Sequence, residues 1–215
     1  TSHPKDATDE LFHAMADLPR VCPYLHLPAQ SGSNRVLRDM NRRYTREHYL
    51  ERVARLREIV PGVEVASDFI VGFPGEPESE FEETVDLVRR VECQNCFVFK
   101  YSPREGTRAA EMADDVAWEI KQERNRRLLA VQQEIMARRQ AAMIGRTVEV
   151  LVEGVSKRDP TKLTGRSRAN HIVALTGDAS LVGRTVLVEI ADSTPLTLLA
   201  RGVPASRCAC HTVDT

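Results

Sequence analysis

Ser67-Asp68-Phe69-Ile70-Val71-Gly72-Phe73-Pro74-Gly75-Glu76 is an apolar strand that runs into a Gly-Pro-Gly turn and then an acidic helix start. Phe69, Ile70 and Val71 form the continuous apolar run expected of a parallel strand covered on both faces. Gly72 and Gly75 leave the backbone bare where a ligand could approach closely, and Pro77 and Glu78 open a helix. Taken alone the stretch is a generic strand-to-helix turn, and a purely structural role competes evenly with a binding one.

Outward from this strand the chain alternates helices and short apolar strands, the pattern of an α/β fold with a parallel sheet and crossover helices. Leu11, Met15 and Leu18 mark one helix face before a strand around 21–27. Tyr49, Leu50, Val53, Leu56 and Ile59 follow at helical spacing, stopped by Pro61-Gly62. Strands at 64–71 and 96–101 bracket a helix carrying Phe81, Val85 and Val88. After Asp114-Asp115 a long helix runs to about Met143, with Ile120, Leu128, Val131 and Ile135 as its buried stripe and Gly145 as its end. From Thr147 the period falls to two: Val148, Val150 and Val152 alternate with Glu149, Leu151 and Glu153. Further strands at 171–175, 185–190 and 196–202, separated by Gly- or Pro-containing turns, predict a small all-β module. Beyond Pro204 periodicity is lost and the sequence predicts a loose tail.

A hydrophobic share of 42% against 28% charged residues describes an ordinary globular chain rather than a fibrous or disordered one. No apolar run approaches the roughly 20 residues that span a bilayer, and no charged-then-apolar leader opens the chain, so the cytoplasm is the expected compartment. The net charge of −1 decides nothing about nucleic acid, but its distribution does more: 76–92 is acid-rich and 157–168 is strongly basic. The bland reading of that basic run is a solvated face. Cys22, Cys93, Cys96, Cys208 and Cys210 show no C-x3-C-x2-C spacing. Cys93 and Cys96 have the spacing of a zinc or redox pair that Cys208, Cys210 and His211 could complete, yet a buried free thiol is the commoner outcome for a cysteine opening a strand.

Two further strand ends carry polar groups out of their loops: His26-Leu27-Pro28-Ala29-Gln30-Ser31-Gly32-Ser33, and Phe99-Lys100-Tyr101-Ser102-Pro103-Arg104-Glu105-Gly106-Thr107. With the central strand, in this order and spacing, they resemble the second half of the radical S-adenosylmethionine (SAM) barrel of the methylthiotransferases, most closely the MiaB type that acts on tRNA. Val152 to Arg158 and Leu163 to Arg166 look like the TRAM domain that follows this barrel in the family. The resemblance implies a partial radical SAM barrel over 1–143, a TRAM β domain over 144–203 and a tail over 204–215. Thr1-Ser2-His3-Pro4 looks like the end of the barrel's third strand, so the chain is read as a fragment.

The resemblance also implies chemistry. SAM and 4Fe-4S clusters are the expected cofactors, with cluster ligands in a preceding segment, so no metal ligand is assigned within this chain. Candidate cofactor-binding groups are Gln30 and Ser31, suited to a ribose or amino-acid moiety; Asp68, an acceptor or a helix partner; Gly72 and Gly75, bare backbone for adenine; and Arg104, a fork for a carboxylate or a tRNA phosphate. No catalytic residue is singled out. Lys157, Arg158, Lys162, Arg166 and Arg168, read as one loop between two strands, are candidate RNA phosphate contacts, with Asn170 or His171 as weaker auxiliary ones. In the last strand-end loop Glu105 and Arg108 stand where the family has prolines. The expected activity is methylthiolation at C2 of N6-isopentenyladenosine beside the tRNA anticodon. Expected partners are tRNA and a flavodoxin-like reductant, with a monomeric enzyme and no membrane. Alternatives are methylthiolation of a ribosomal-protein aspartate (RimO type), of threonylcarbamoyladenosine in tRNA, or a non-catalytic RNA-binding module.

Overall fold

Three α-helix starts in the first two-thirds are set by hydroxyl caps. Thr8, Ser33 and Thr45 each accept from the amide three residues on, opening α1 (Asp9–Asp17), α2 (Asn34–Asp39) and α3 (Arg46–Ile59). The computed structural model describes residues 1–202, which divide into two units, Thr1–Ile135 and Met136 onward. The basic-module boundary residue Val203 and the tail with Cys208 and Cys210 lie outside the described residues.

In the first unit β1 (Tyr24–His26), β2 (Glu64–Val71) and β3 (Asn95–Lys100) form a parallel sheet in that order, with β2 central. Registers pair Tyr24 with Glu64, and Ala66 through Val71 with Asn95 through Lys100. Val65, Phe69 and Val71 are fully buried in one cluster with Leu25 and Leu27, with Tyr49, Val53 and Leu56 of α3, and with Phe81, Val85 and Val88 of α4 (Glu78–Val91). Burial of such side chains is the main stabilising term, about 1.5–3 kcal/mol each. The other face is different. Glu64, Asp68 and Ile70 are only half-buried, and Phe97 and Phe99 beside them are 47% and 53% exposed. Among the described residues the second face is thus covered only in part, at Ala66 and at Ile70, which packs on Val36, Phe73 and Tyr101, and the apolar run Phe69-Ile70-Val71 divides between the two faces.

The long helix α5 covers Trp118–Ala141. Leu128 and Ile135 are buried and Val131 partly so, as the periodicity predicts, but Ile120 is 45% exposed. The buried stripe begins instead at Lys121 and Arg124, seven and four residues before Leu128, and continues through Gln132. A phase set by these polar residues turns Ile120 outward.

The second unit is a closed five-stranded barrel: β4 (Thr147–Val155), β5 (Leu163–Ser167), β6 (Ile172–Leu175), β7 (Thr185–Ser193) and β8 (Leu198–Ala200), in the order β4-β5-β6-β8-β7. Val150, Val152, Leu163, Val173, Leu175, Val186, Val188, Ile190 and Leu198 fill its interior. Gly165 faces the carbonyl of Leu151 so closely that a Cβ would overlap it, which lets β4 and β5 coil tightly where β4 is bulged between Val152 and Gly154.

Candidate functional site

The loop after β1 continues along β2 beyond the formal strand. Gln30 donates its amide to the Asp68 carbonyl and accepts from Ile70, both at 2.8–2.9 Å, and adopts φ +69°. Tyr49 donates its hydroxyl to the Leu27 carbonyl (2.9 Å) and Tyr44 donates to that of Ala29 (3.0 Å), while Ser67 Oγ accepts from the Ala29 amide (2.9 Å). Burial pushes the Tyr44 hydroxyl up to about 12, so it remains a donor at any physiological pH. Ser31 is fully buried: its Oγ accepts from the Ser33 amide (3.1 Å) and lies 3.4 Å from Thr84 Oγ1, which accepts from the Gly32 amide. These bonds fix the loop against α4 and hold the backbone of Gln30 at the sheet's C-terminal end.

The turn after β2 is held from beneath. Gly72 takes φ +72° and Gly75 takes φ +68°, a region glycine enters without strain. Glu76 Oε2 accepts from the Gly72 amide (2.7 Å) and from Arg124 Nη1 (2.9 Å), and Arg124 also donates to the Glu76 carbonyl (2.9 Å). Both side chains are out of water, at 0% and 5% exposed, and Glu76 Oε1 has no partner. Burial raises the Glu76 carboxyl against the lowering influence of the Gly72 amide and Arg124. Asp115 accepts from the Gly75 amide (2.6 Å), and Arg35 donates to the Gly75 carbonyl (2.9 Å) while pairing with Glu80 and Asp39. Gly72 is buried, whereas Gly75 is exposed, and only Arg35 Nη1, at 3.8 Å, stands near the place of a Cβ there.

On the half-open sheet face His26 of β1 and Asp68 of β2 meet: the carboxylate accepts from His26 Nε2 at 2.8 Å, and His26 Nδ1 lies 2.9 Å from the Thr1 hydroxyl. Phe97 of β3 stands edge-on to the His26 ring, 6.1 Å between centroids. Arg104 is exposed in the loop after β3, whose turn is closed by Thr107 donating to the Arg104 carbonyl (2.7 Å). Cys93 and Cys96 are buried free thiols; the hydrogen bond that the Cys96 thiol shares with Cys93, then burial, pushes the Cys96 thiol well up, the opposite of a metal-ready thiolate. Among the described residues no group of three or more His, Cys, Asp or Glu could hold a metal ion.

In the barrel unit Lys157 and Arg158 are exposed on the β4–β5 loop. Lys162 pairs with Asp159 (3.3 Å), Arg166 with Glu153 (3.5 Å) and Arg168 with Glu149 (3.8 Å). The five basic residues do not share one loop. Arg166 is inside β5 and Arg168 just past it, because Leu163, Gly165 and Ser167 alternate inward and draw the intervening residues into a strand. His171 is buried and Asn170 accepts from Arg166 (2.9 Å).

Residues 1–88 match the Radical SAM superfamily and residues 141–203 match the TRAM domain. Residues 1–88 are thus similar to the radical SAM superfamily and the barrel unit to the TRAM domain. A tRNA-2-methylthio-N(6)-dimethylallyladenosine synthase from Thermoanaerobacter sp. is 50% identical over 92% of this chain and 42% of its own length. One from Moorella thermoacetica is 52% identical over 88% of this chain and 43% of its own. The chain thus spans less than half the length of these relatives, and the resemblance to the tRNA methylthiotransferases is borne out across both units. Among solved structures, coproporphyrinogen III oxidase from Escherichia coli, a radical SAM enzyme, aligns with a TM-score of 0.53 over 87% of this chain and 45% of its own at 13% identity, a likeness of fold alone.

The radical SAM segment therefore brings Gln30, Asp68, Gly72, Gly75 and Arg104 to one end or one face of a single sheet, as expected of a parallel α/β site. Ser31 is there too, but within the packed interior. Sequence reading passed over His26, Lys121 and Arg124. His26 and Asp68 sit at alternate positions of paired strands, a relation only the register reveals. In the TRAM barrel the structure sorts the basic residues into Lys157 and Arg158, outside any ion pair among the described residues, and three that face carboxylates.

Proposed function

We propose that the chain is the C-terminal part of a tRNA methylthiotransferase that modifies C2 of N6-isopentenyladenosine beside the anticodon. The observation that supports this most is the identity of about 50% with synthases of that name, continuous through the radical SAM segment and the TRAM barrel. The described residues do not fit a cluster, so its ligands are assigned to a segment preceding Thr1. For SAM the fit is better: Gly75 is exposed, with only Arg35 Nη1 near the place of a Cβ, at 3.8 Å, and Gln30, Asp68 and Arg104 offer hydrogen-bonding or charged groups at neighbouring strand ends. When bound, SAM would supply the methyl group and, after reductive cleavage, the radical. In this reading Gly72 and Gly75 give a backbone edge for adenine, with Ser31 fixing the neighbouring loop. Asp68, oriented by His26, accepts from a ligand hydroxyl or amino group, and Arg104 binds a carboxylate or phosphate. Lys157, Arg158, Lys162, Arg166 and Arg168 contribute phosphate contacts, the first two most. A flavodoxin-like reductant, a cytoplasmic location and a monomeric state complete the proposal; no helix among the described residues is long and apolar enough to cross a membrane.

The test is nucleoside mass spectrometry. The complete gene product, reconstituted anaerobically and given reductant, SAM and isopentenylated tRNA, should yield the 2-methylthio nucleoside. A methylthio group found instead on threonylcarbamoyladenosine or on a ribosomal-protein aspartate, or on nothing, would reject this reading.

A further inference from the structure

The underside of the Gly72–Gly75 turn is built almost wholly from one short stretch of chain, 114–124. A Cβ on Gly72 would lie 2.4 Å from Lys121 Cγ, an overlap, so the aliphatic stem of Lys121 fills the space that a side chain on Gly72 would need. The stem is held there at its far end: Nζ donates to Asp114 at 2.5 Å and lies 5.1 Å from the centre of the Tyr101 ring, leaving the side chain 4% exposed. One turn further along α5, Arg124 secures Glu76, and Glu76 secures the Gly72 amide, while Asp115 takes the Gly75 amide. An apolar residue at 121 could fill the same volume, but with no charged end to fix where along the turn it lies. At Gly75 the turn is exposed, with only Arg35 Nη1 near the place of a Cβ, at 3.8 Å.

We propose that Lys121 is a positioning residue for the cofactor, acting through Gly72: its stem sets the height of the turn against which SAM lies, and Asp114 sets the position of the stem. This rests on the reading that the turn faces SAM. A lysine enclosed in this way would otherwise be only a costly core residue.

The experiment is SAM titration by calorimetry on the complete gene product, beside a thermal melt and tRNA affinity for each variant. Lys121→Ala removes the stem and should weaken SAM about tenfold, the order seen when support behind a binding group is lost, with tRNA affinity unchanged. Lys121→Met keeps the stem but loses the tether to Asp114, and should weaken SAM about threefold, between the parent and Lys121→Ala. A Lys121→Ala protein that melts lower yet binds SAM like the parent would overturn the proposal. If that variant does not fold, Gly72→Ala combined with Lys121→Ala returns a carbon to the vacated place. The pair should bind SAM more tightly than Gly72→Ala alone, and a pair no better than that single variant also overturns it. Gly75→Asn, tolerated at positive φ, alters only the exposed side. If it weakens SAM and Lys121→Ala does not, the positioning role fails; if neither does, the assignment of the turn to SAM fails.

Discussion

The two units solve the problem of polar atoms in opposite ways. The TRAM barrel closes its hydrogen-bond ladder on itself around an apolar cluster, and apart from His171 the polar residues it buries are uncharged. The radical SAM segment leaves one sheet face half-open and buries Glu76, Lys121 and Arg124 under the turn at its edge. A closed barrel can give nearly its whole core to packing. In the proposed reading, the loops of the sheet hold a ligand and gain from charged groups behind them, because a salt-bridged support fixes direction as well as volume.

The contrast can be broken most severely at Arg124. Arg124→Met leaves Glu76 buried without its counter-charge and should cost about 3–5 kcal/mol, lowering the melting of the first unit while the barrel's transition stays in place. The double change with Glu76→Met should recover most of that loss, and an equal loss in both would show the pair to be dispensable packing. The matching break in the barrel is Gly165→Ala, which drives a methyl into the Leu151 carbonyl. About 1–3 kcal/mol should go from the second unit only, as read by separate transitions in a calorimetric scan.

Two smaller effects sharpen the comparison. If the unpaired cations make the phosphate contacts, Lys157→Ala with Arg158→Ala should reduce the salt slope of tRNA binding by about two, while Arg166→Ala with Arg168→Ala, already beside carboxylates, should reduce it less. Equal slopes would mean the ion pairs open on binding. The smallest effect is the pH dependence of Glu76. Its folded-state value is raised above 4.5 by burial, so the stability it adds is full below 4.5 and is lost as pH rises through the folded value. Urea melts of the parent and of Glu76→Gln across that window should therefore show the parent's advantage shrinking as pH rises. The exposed Glu78, which Arg127 holds low, titrates alike in both and cancels.

Much of this architecture is legible in residue order. The strand at 64–71 and the alternation from Val148 to Glu153 announce a parallel sheet and a barrel, and Gly72 and Gly75 announce the turn. What escaped has a common cause. A stripe counted in apolar residues alone takes in Ile120 and leaves Lys121 and Arg124 unread, although the latter two are in phase with Leu128 and Ile135. Arg166 was hidden likewise, since a cluster of cations reads as loop unless the small inward residues Gly165 and Ser167 are given weight. α2, only six residues long, offered too little periodicity to be seen. The His26–Asp68 pair needed a register that no single-strand pattern contains.

The asymmetry of the two units extends to light. The chain's single tryptophan, Trp118, opens α5 with its ring under the Lys100 ammonium, 4.4 Å from the centroid. Its emission accordingly follows the docking of that helix end on β3, a few residues from the lysine beneath the turn. Tryptophan fluorescence can thus report on the radical SAM segment while the barrel, which has none, unfolds unseen.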